Sequence, residues 1–291
     1  MVGERYLEPL VRAEGVQDGN RCWPSRLRCA PLPSMKADRT LDHDSIMSTA
    51  LEHGVDEEVA AEAARRIMTR EVSLLGFSGK LASGKDSVAA GVVRRLRLDP
   101  VLHYSFAHPL KDEVDTVLNL LRTGREGDIP PLLDVREGVP LTELLDLARV
   151  ALAEDPGCDA RTRTPAIRRV LQHWGTEIRR AQDYDYWVKS ATRTILTHAA
   201  TGTNVFYTDG RFPNEISSSR QIGFVVFRLQ VDPLVQAERL SHRDGIGLDP
   251  LAQQHPSETA LDHFDQFDLK VDNNGPFEQT VSHIVNWLQR S

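Results

Sequence analysis

The sequence GFSGKLASGKDSVA, residues 76–89, begins in an apolar run and continues into a segment with helical character. Within it, Gly79, Gly84 and Lys85 have the spacing G-x4-G-K, the pattern of a phosphate-binding loop between a strand and a helix. Glycines allow the tight turns of such a loop, whose backbone N–H groups can then point at phosphate oxygens. The alternative is a glycine-rich turn without a ligand. Because strand, loop, lysine and helix occur in the required order, we predict a phosphate-binding loop.

This loop is expected to bind the phosphates of ATP, with Lys85 reaching the β- and γ-phosphates. The residues expected to contact ATP are Gly79, Lys80, Ala82, Ser83, Gly84, Lys85, Asp86 and Ser87. Asp86 is unusual, because a Ser or Thr normally follows the lysine and a bare carboxylate repels phosphate. We therefore predict that Asp86 helps to hold Mg2+, with Ser87 as an auxiliary hydroxyl. The alternative is an acid that only stabilises the first turn of the helix.

The composition limits the classes of protein to consider. A chain of 291 residues, 40% of them hydrophobic, is long enough for one substantial core. The net charge of −7 argues against stable binding of nucleic acid. No apolar run approaches the roughly 18 residues of a membrane span, and no signal-peptide-like stretch is visible. The three cysteines form no CxxC pair, so we expect a cytoplasmic protein without disulfides and without membrane association.

Three regions of the chain differ in their pattern. Residues 1–40 mix Pro, Arg and Ser without a period and are expected to form a poorly ordered N-terminal extension. Residues 41–70 are expected to add a helical segment, because DEEVAAEAARRIM (residues 56–68) is acidic first, basic last and apolar at helical spacing. Residues 71–291 are expected to form the main domain.

The main domain alternates between apolar runs and helical patterns. The predicted strands are VSLLGF (residues 72–77), VLHYSF (101–106), NVFYTD (204–209), FVVFRLQV (224–231) and FDLKVDN (267–273). Apolar runs without alternation are typical of buried parallel strands, and strands separated by helices form parallel sheets. The sequence therefore predicts an α/β protein with the P-loop NTPase fold. Its five-stranded parallel sheet is flanked by helices, with a helical nucleotide-binding insertion and a lid.

Polar residues follow the second and third predicted strands, at the edge of the sheet where ligands bind in open α/β folds. Lys111 comes after the second strand, and the alternative for it is a solvated surface lysine. Asp209 ends the third strand, where a second acid of the site can orient Mg2+ or its waters. The alternative for Asp209 is a residue that caps a turn. Arg211 can reach the same edge, whereas Glu215 is expected to cap or orient rather than to catalyse.

Aromatic and basic residues are interspersed in LQHWGTEIRRAQDYDYWV, residues 171–188. Trp174 and Tyr184 offer stacking faces for a base. Arg179 and Arg180 offer bidentate binding of an acceptor phosphate. The alternative is a helix with its aromatic residues in the core and its arginines in solvent.

Two arginines lie in the segment between the fourth and fifth predicted strands. Arg239 and Arg243 are four residues apart, so one face of a helix carries both. Glycines and a proline follow, which is typical of a lid, here about residues 239–258, that covers a transferring phosphoryl group. We predict that both arginines are catalytic, together with Lys85 and Asp209. The alternative for this segment is a solvated helix end and loop.

Taken together, these motifs resemble those of the phage-type deoxynucleoside monophosphate kinases. The shared motifs are GKLASGKDS, SFAHPLK, LQHWGTEIRR, DYWV, TDGRFPNE and HPSETALD…VDNNG, in this order, from about residue 72 to the C-terminus. The resemblance implies an arginine-bearing lid, a GKD-type loop and phosphoryl transfer from ATP to a deoxynucleoside monophosphate. Mg2+ as cofactor and assembly as a homodimer are also typical of the family. The chain departs from the family at His108, where an acid is expected, and in an insertion near residues 124–140.

Three classes of function are compatible with the sequence. The preferred one is a kinase for a (deoxy)nucleoside monophosphate, in which Arg179, Arg180 and Arg211 bind the acceptor phosphate. The second is a kinase for another phosphorylated small molecule, as in phosphomevalonate-type or dephospho-CoA kinases. The third is a nucleotide-binding module without catalysis. The paired arginines of the predicted lid count against the third class, because such a module needs no second phosphate pocket.

Overall fold

A computed structural model of the protein describes residues 41–136, 138–162, 164–244 and 256–290. The N-terminal extension predicted for residues 1–40 lies outside the described residues, and so do residues 245–255 of the predicted lid.

A five-stranded parallel sheet forms the centre of the described structure. Its strands are β1 (Leu74–Ser78), β2 (Val101–Tyr104), β3 (Asn204–Tyr207), β4 (Val225–Gln230) and β5 (Leu269–Asp272). The order β2-β3-β1-β4-β5 places β1 in the middle, and all neighbouring strands are parallel. Every residue of β1 is buried, as expected for a central strand covered on both faces. The predicted α/β fold of P-loop type is confirmed.

Helices connect the strands and cover the sheet. They are α1 (His43–Glu52), α2 (Glu57–Met68), α3 (Lys85–Leu96), α4 (Ala107–Arg122), α5 (Ile129–Leu132), α6 (Thr142–Glu154), α7 (Pro165–Gln172), α8 (Tyr186–Ala200), α9 (Pro213–Gln221), α10 (Pro233–Asp244), α11 (Pro256–Thr259) and α12 (Phe277–Arg290). A 3-10 turn at Glu126–Asp128 follows α4, and a π-helical segment at His173–Arg180 follows α7. Among the helices described, none is long and apolar enough to cross a membrane.

Apolar side chains pack on both faces of the sheet. On one face, Phe77 of β1 lies in a buried cluster with Val88 of α3 and with residues of α12. On the other face, Leu74 of β1 lies in a cluster with Ala63 of α2 and Ile195 of α8. The loop after β1 lies at the carboxyl edge of the sheet, between the two clusters of apolar side chains that cover its faces.

The segment at residues 41–70 forms α1 and α2, and an aspartate directly precedes and caps each of these helices. Asp42 accepts a hydrogen bond from the backbone N–H of Ser45 at 2.7 Å, and Asp56 accepts one from Glu58 at 3.0 Å. Such caps satisfy N–H groups that have no partner within the helix. The buried stripe of α2 belongs to the same apolar cluster as α8, so this segment packs on the rest of the fold.

A separate apolar cluster holds the helical region between β2 and β3. It brings together Leu118 of α4, Leu144 of α6, Ile167 of α7 and Trp174 of the π-helical segment, all of them fully buried. The region therefore has its own core beside the sheet, and this core fixes the position of α4, which begins at the same edge as the loop after β1.

Candidate phosphate-binding site

The loop between β1 and α3 has the backbone shape that its glycines predict. Gly84 directly precedes α3 with a φ of +81°, in the left-handed region that glycine adopts without strain. A Cβ on Gly84 would lie 2.7 Å from the side-chain nitrogen of Asn273, so this position has no space for a side chain. Ala82 also has a positive φ, +57°. The ATP-contact residues predicted between Gly79 and Ser87 lie together in this loop and in the first turn of α3.

Asn273, directly after β5, holds the loop from the side. Its amide nitrogen donates to the carbonyl oxygen of Ser83 at 2.7 Å, and its amide oxygen accepts from the hydroxyl of Thr280 at 2.8 Å. Asn273 is only 4% exposed, so both hydrogen bonds are shielded from water. Sequence reasoning did not assign this residue to the site. The available signal was a polar residue directly after a predicted strand, within VDNNG.

Lys85 is the first residue of α3 and is partly buried. Burial lowers the pKa of Lys85, and the carboxylate of Asp86 opposes this effect. Glu258 and Asp209 also favour the charged form, while Arg211 disfavours it, so these groups lie within electrostatic range of the ammonium group. No residue in the described part of the chain accepts a hydrogen bond from Lys85. None of its three donors is used by the described part of the chain, so they can be offered to a phosphate.

Asp209 caps α4. Its carboxylate accepts hydrogen bonds from the hydroxyl of Ser105 at 2.5 Å and from the backbone N–H groups of Phe106 and Ala107, both at 3.1 Å. These donors lie at the start of α4, so the structure gives Asp209 the capping contacts that were the alternative in the sequence. Its charge still favours the protonated form of Lys85.

The fit of a magnesium ion depends on Asp86 and Ser87, which are exposed in the first turn of α3. Within the described ranges, no group of three or more His, Cys, Asp or Glu side chains could hold a metal ion. Mg2+ normally takes one or two carboxylates and completes its shell with substrate phosphates and water. Asp86 fits that requirement, because it is exposed beside Lys85, whereas both oxygens of Asp209 already accept hydrogen bonds.

Arg239 of α10 lies against the loop. Its Nη2 donates to the carbonyl oxygen of Asn273 at 2.7 Å, and its Nη1 lies 3.7 Å from the position of a Cβ on Gly84. This Nη1 is buried and has no hydrogen-bond partner in the described structure. Because a buried charged donor without a partner is costly, an anion at the loop would stabilise it. The side chain of Arg243 lies outside what the structure describes, so its role stays a prediction.

Arg211 reaches the loop through a carboxylate. Its guanidinium donates to Glu258 at 2.6 Å, and Glu258 also accepts from the backbone N–H of Leu81 at 3.2 Å. Four residues later, Asp262 forms an ion pair with Lys80 at 2.9 Å. Sequence reasoning assigned neither carboxylate to the site, although both belong to the HPSETALD motif. Their contacts show that this motif lies beside the loop.

The positions of Trp174 and Arg179 correct the prediction that they bind substrate. Trp174 is 0% exposed and Arg179 is 1% exposed. Both donate to the carboxylate of Glu113, at 2.6 and 2.8 Å. The Arg179 guanidinium also lies over the rings of Trp174 and Tyr186, 4.8 and 4.5 Å from their centroids. These groups are one another's partners inside the helical core, so they order that core and do not reach a substrate.

The other predicted substrate residues are nearer the surface. Arg180 donates to Glu215 at 2.6 Å and lies over the ring of Phe212, 4.2 Å from its centroid. Glu215 also accepts from the N–H of Phe212 at 3.1 Å, so its predicted capping role is confirmed. Burial raises the pKa of Glu215, and Arg180 opposes this effect. Tyr184 is 56% exposed, and Lys111 is partly exposed on α4.

The sequence matches no model of a protein family and no curated protein. Solved structures similar to this fold include an unliganded sugar kinase from Janibacter sp., with 15% identity, a TM-score of 0.41 and coverage of 75% of this chain and 94% of that chain. A gluconokinase from Sinorhizobium meliloti has 17% identity, a TM-score of 0.39 and coverage of 76% and 93%. A protein from Thermus thermophilus has 17% identity, a TM-score of 0.36 and coverage of 74% and 97%. The assignment of the fold rests on the strand order and the loop described above.

Proposed function

We propose that this protein transfers the γ-phosphoryl group of ATP to a nucleoside monophosphate, which yields ADP and the nucleoside diphosphate. One observation carries the proposal: the ammonium group of Lys85 and Nη1 of Arg239 lie at the same loop without hydrogen-bond partners among the residues described. The loop presents its N–H groups and a helix N-terminus at the carboxyl edge of a parallel sheet, where anionic ligands bind.

The proposed reaction needs no covalent intermediate with the protein. An oxygen of the acceptor phosphate attacks the γ-phosphorus, and the β–γ bridging oxygen leaves with ADP. The protein has to align the two substrates and to balance their charge. In this proposal Lys85 binds the β- and γ-phosphates, and Arg239 binds the donor from the side of Asn273. Asp86 and Ser87 would hold Mg2+ beside the donor phosphates, and the ion would supply further charge neutralisation there.

The acceptor contacts differ from those expected from the sequence, because Trp174 and Arg179 are inside the helical core. We therefore assign the acceptor phosphate to Arg180 and Arg211, and the remainder of the acceptor to residues such as the exposed Tyr184. The second kind of acceptor to test is phosphomevalonate.

The experiment is a panel of acceptors with ATP and Mg2+, in which release of ADP is measured. We expect ADP release with at least one of dTMP, dGMP and dCMP, and none with phosphomevalonate. Tight ATP binding without ADP release for any monophosphate would refute the proposal. Lys85→Met is expected to lower kcat/KM at least about 100-fold, since one donor to developing charge contributes roughly 2.7–4 kcal/mol. The control is Glu126→Gln, which removes an exposed carboxylate paired with Arg149 and is expected to retain activity.

The assignment of the metal is tested separately by Asp86→Asn. This variant keeps the size of the side chain but removes its charge. We expect it to need a higher Mg2+ concentration for half-maximal rate, because one carboxylate ligand is lost. An unchanged dependence of the rate on Mg2+ would show that Asp86 serves only the helix.

A further inference from the structure

Glu258 uses both of its carboxylate oxygens on groups that the proposed function assigns to phosphate. Oε2 accepts from the backbone N–H of Leu81 at 3.2 Å, and Oε1 accepts from the guanidinium of Arg211 at 2.6 Å. The side chain of Glu258 is 16% exposed, so the contact is partly shielded from water. Leu81 belongs to the loop whose N–H groups face the phosphates. A carboxylate that binds both donors therefore occupies the position of an anionic ligand.

Asp262 fixes the same stretch to the loop at a second point. Its carboxylate pairs with the ammonium group of Lys80 at 2.9 Å and lies 3.9 Å from Arg228. Arg228 in turn donates to the hydroxyl of Ser78, the last residue of β1, at 2.9 Å. We refer to residues 258–262 as the acidic strap. Its two carboxylates, four residues apart, hold the beginning and the base of the phosphate-binding loop.

The contact of Glu258 and the binding of a phosphate exclude each other. A backbone N–H satisfies one strong acceptor at a time, and a carboxylate repels a phosphate in the same place. When only a fraction of the protein is in the form that binds, the apparent association constant equals the intrinsic constant multiplied by that fraction. The strap therefore lowers the apparent affinity for nucleotide as long as the carboxylate of Glu258 is in contact with Leu81.

We propose that Glu258 is an internal competitor for phosphate, which occupies the place of a donor phosphate in the nucleotide-free protein and leaves it when ATP binds. This inference rests on the phosphate binding within the proposed function, and its test needs no acceptor. Its consequence is a site that stays closed to weakly anionic ligands. A polyphosphate opens it, because several charge-assisted hydrogen bonds replace the two that Glu258 makes.

Glu258→Gln tests the competitor, because it keeps the size of the side chain and removes its charge. ATP binding to the full chain is measured by titration calorimetry without acceptor. We expect Glu258→Gln to bind ATP about three- to tenfold more tightly than the unaltered protein, since the competing hydrogen bonds lose their charge. Asp262→Asn removes a neighbouring charge that does not contact the loop N–H, and we expect a smaller gain. The distant Glu126→Gln is expected to leave the affinity unchanged.

The outcomes separate the inference from the proposed function. Thermal unfolding of each variant checks the fold, and Glu258→Ala is a second variant with the same expectation. If Glu258→Gln binds ATP as tightly as the unaltered protein, or more weakly, the inference is wrong while the kinase proposal stands. Equal gains for Glu258→Gln and Asp262→Asn also overturn the inference, because a general effect of charge then suffices. If Glu258→Gln binds ATP more tightly but no monophosphate accepts a phosphoryl group, the role of Glu258 as a competitor is supported and the proposed kinase activity is refuted.

Discussion

Replacing Gly84 by alanine tests the geometry of the phosphate-binding loop. At a φ of +81°, an L-residue costs about 1–2 kcal/mol more than glycine. The new Cβ would also lie 2.7 Å from the side-chain nitrogen of Asn273, which must then move away from the carbonyl oxygen of Ser83. Leaving that buried carbonyl without its donor costs a further 1–3 kcal/mol or so. We therefore expect Gly84→Ala to lower the free energy of unfolding by about 2–5 kcal/mol.

A double-mutant cycle with Asn273→Ala separates the two costs. Once the asparagine side chain is absent, the Cβ at residue 84 meets no amide nitrogen, and Gly84→Ala costs only its backbone strain, about 1–2 kcal/mol. The two single effects should therefore exceed the effect of the double variant by about 1–3 kcal/mol. Gly124→Ala is the matched control, because Gly124 has a φ of +67° and nothing lies within 4 Å of its Cβ position.

The assay is urea unfolding of the single and double variants, extrapolated linearly to water. ATP affinity is measured on the same samples, and we expect Gly84→Ala to weaken it because the loop amides are displaced. Gly124→Ala should show only the strain term and no coupling to Asn273→Ala. Additive effects of Gly84→Ala and Asn273→Ala, within about 0.5 kcal/mol, would refute the contact between these two residues.

Three further predictions concern the surroundings of the loop. Glu113→Gln is expected to lower the free energy of unfolding by about 3–5 kcal/mol, because it leaves the buried guanidinium of Arg179 without its counter-ion. Urea unfolding measures this loss, and a loss below about 1 kcal/mol would contradict the prediction. Arg239→Met is expected to weaken ATP binding about tenfold in calorimetry, because the donor phosphates lose a charged donor whose Nη1 has no other partner among the described residues; equal affinity would remove Arg239 from the site. Burial lowers the pKa of His103, so the unfolded chain takes up a proton near pH 6.5 while the folded protein resists it. The free energy of unfolding should therefore decrease as the pH is lowered from about 7 to about 5. Urea unfolding at the two pH values measures this decrease, and we expect it to be smaller for His103→Asn.

Much of the fold could be predicted from local patterns. The run VSLLGF at residues 72–77 predicts β1, observed at Leu74–Ser78, and the acidic start of the preceding segment at residues 56–68 predicts α2, observed at Glu57–Met68. Both depend on the order of residues within about ten positions, which sets periodicity, capping and turn chemistry. The glycine spacing of the loop is local in the same sense.

The partners of the charged side chains could not be predicted in this way. Arg179 was expected to bind substrate, but its counter-ion Glu113 is 66 positions away in the sequence and meets it only when α4 packs on the π-helical segment. The loop contact of Glu258 joins residues 177 positions apart. No local pattern distinguishes an arginine that is paired in a core from one that faces a ligand, because the residue and its sequence neighbours can be the same in both cases.

The sequence by itself therefore determined the parallel sheet, the phosphate-binding loop and the position of Lys85 at the start of a helix, since chain conformation over short stretches follows from glycine, periodicity and caps. Tertiary structure alone decided which polar groups are already satisfied. In the folded chain Trp174 and Arg179 are buried, and Asp209 caps α4. Lys85 and Nη1 of Arg239 have no hydrogen-bond partners among the described residues. The physical reason is that burial and pairing depend on residues far away in the sequence, which only the packed chain brings together.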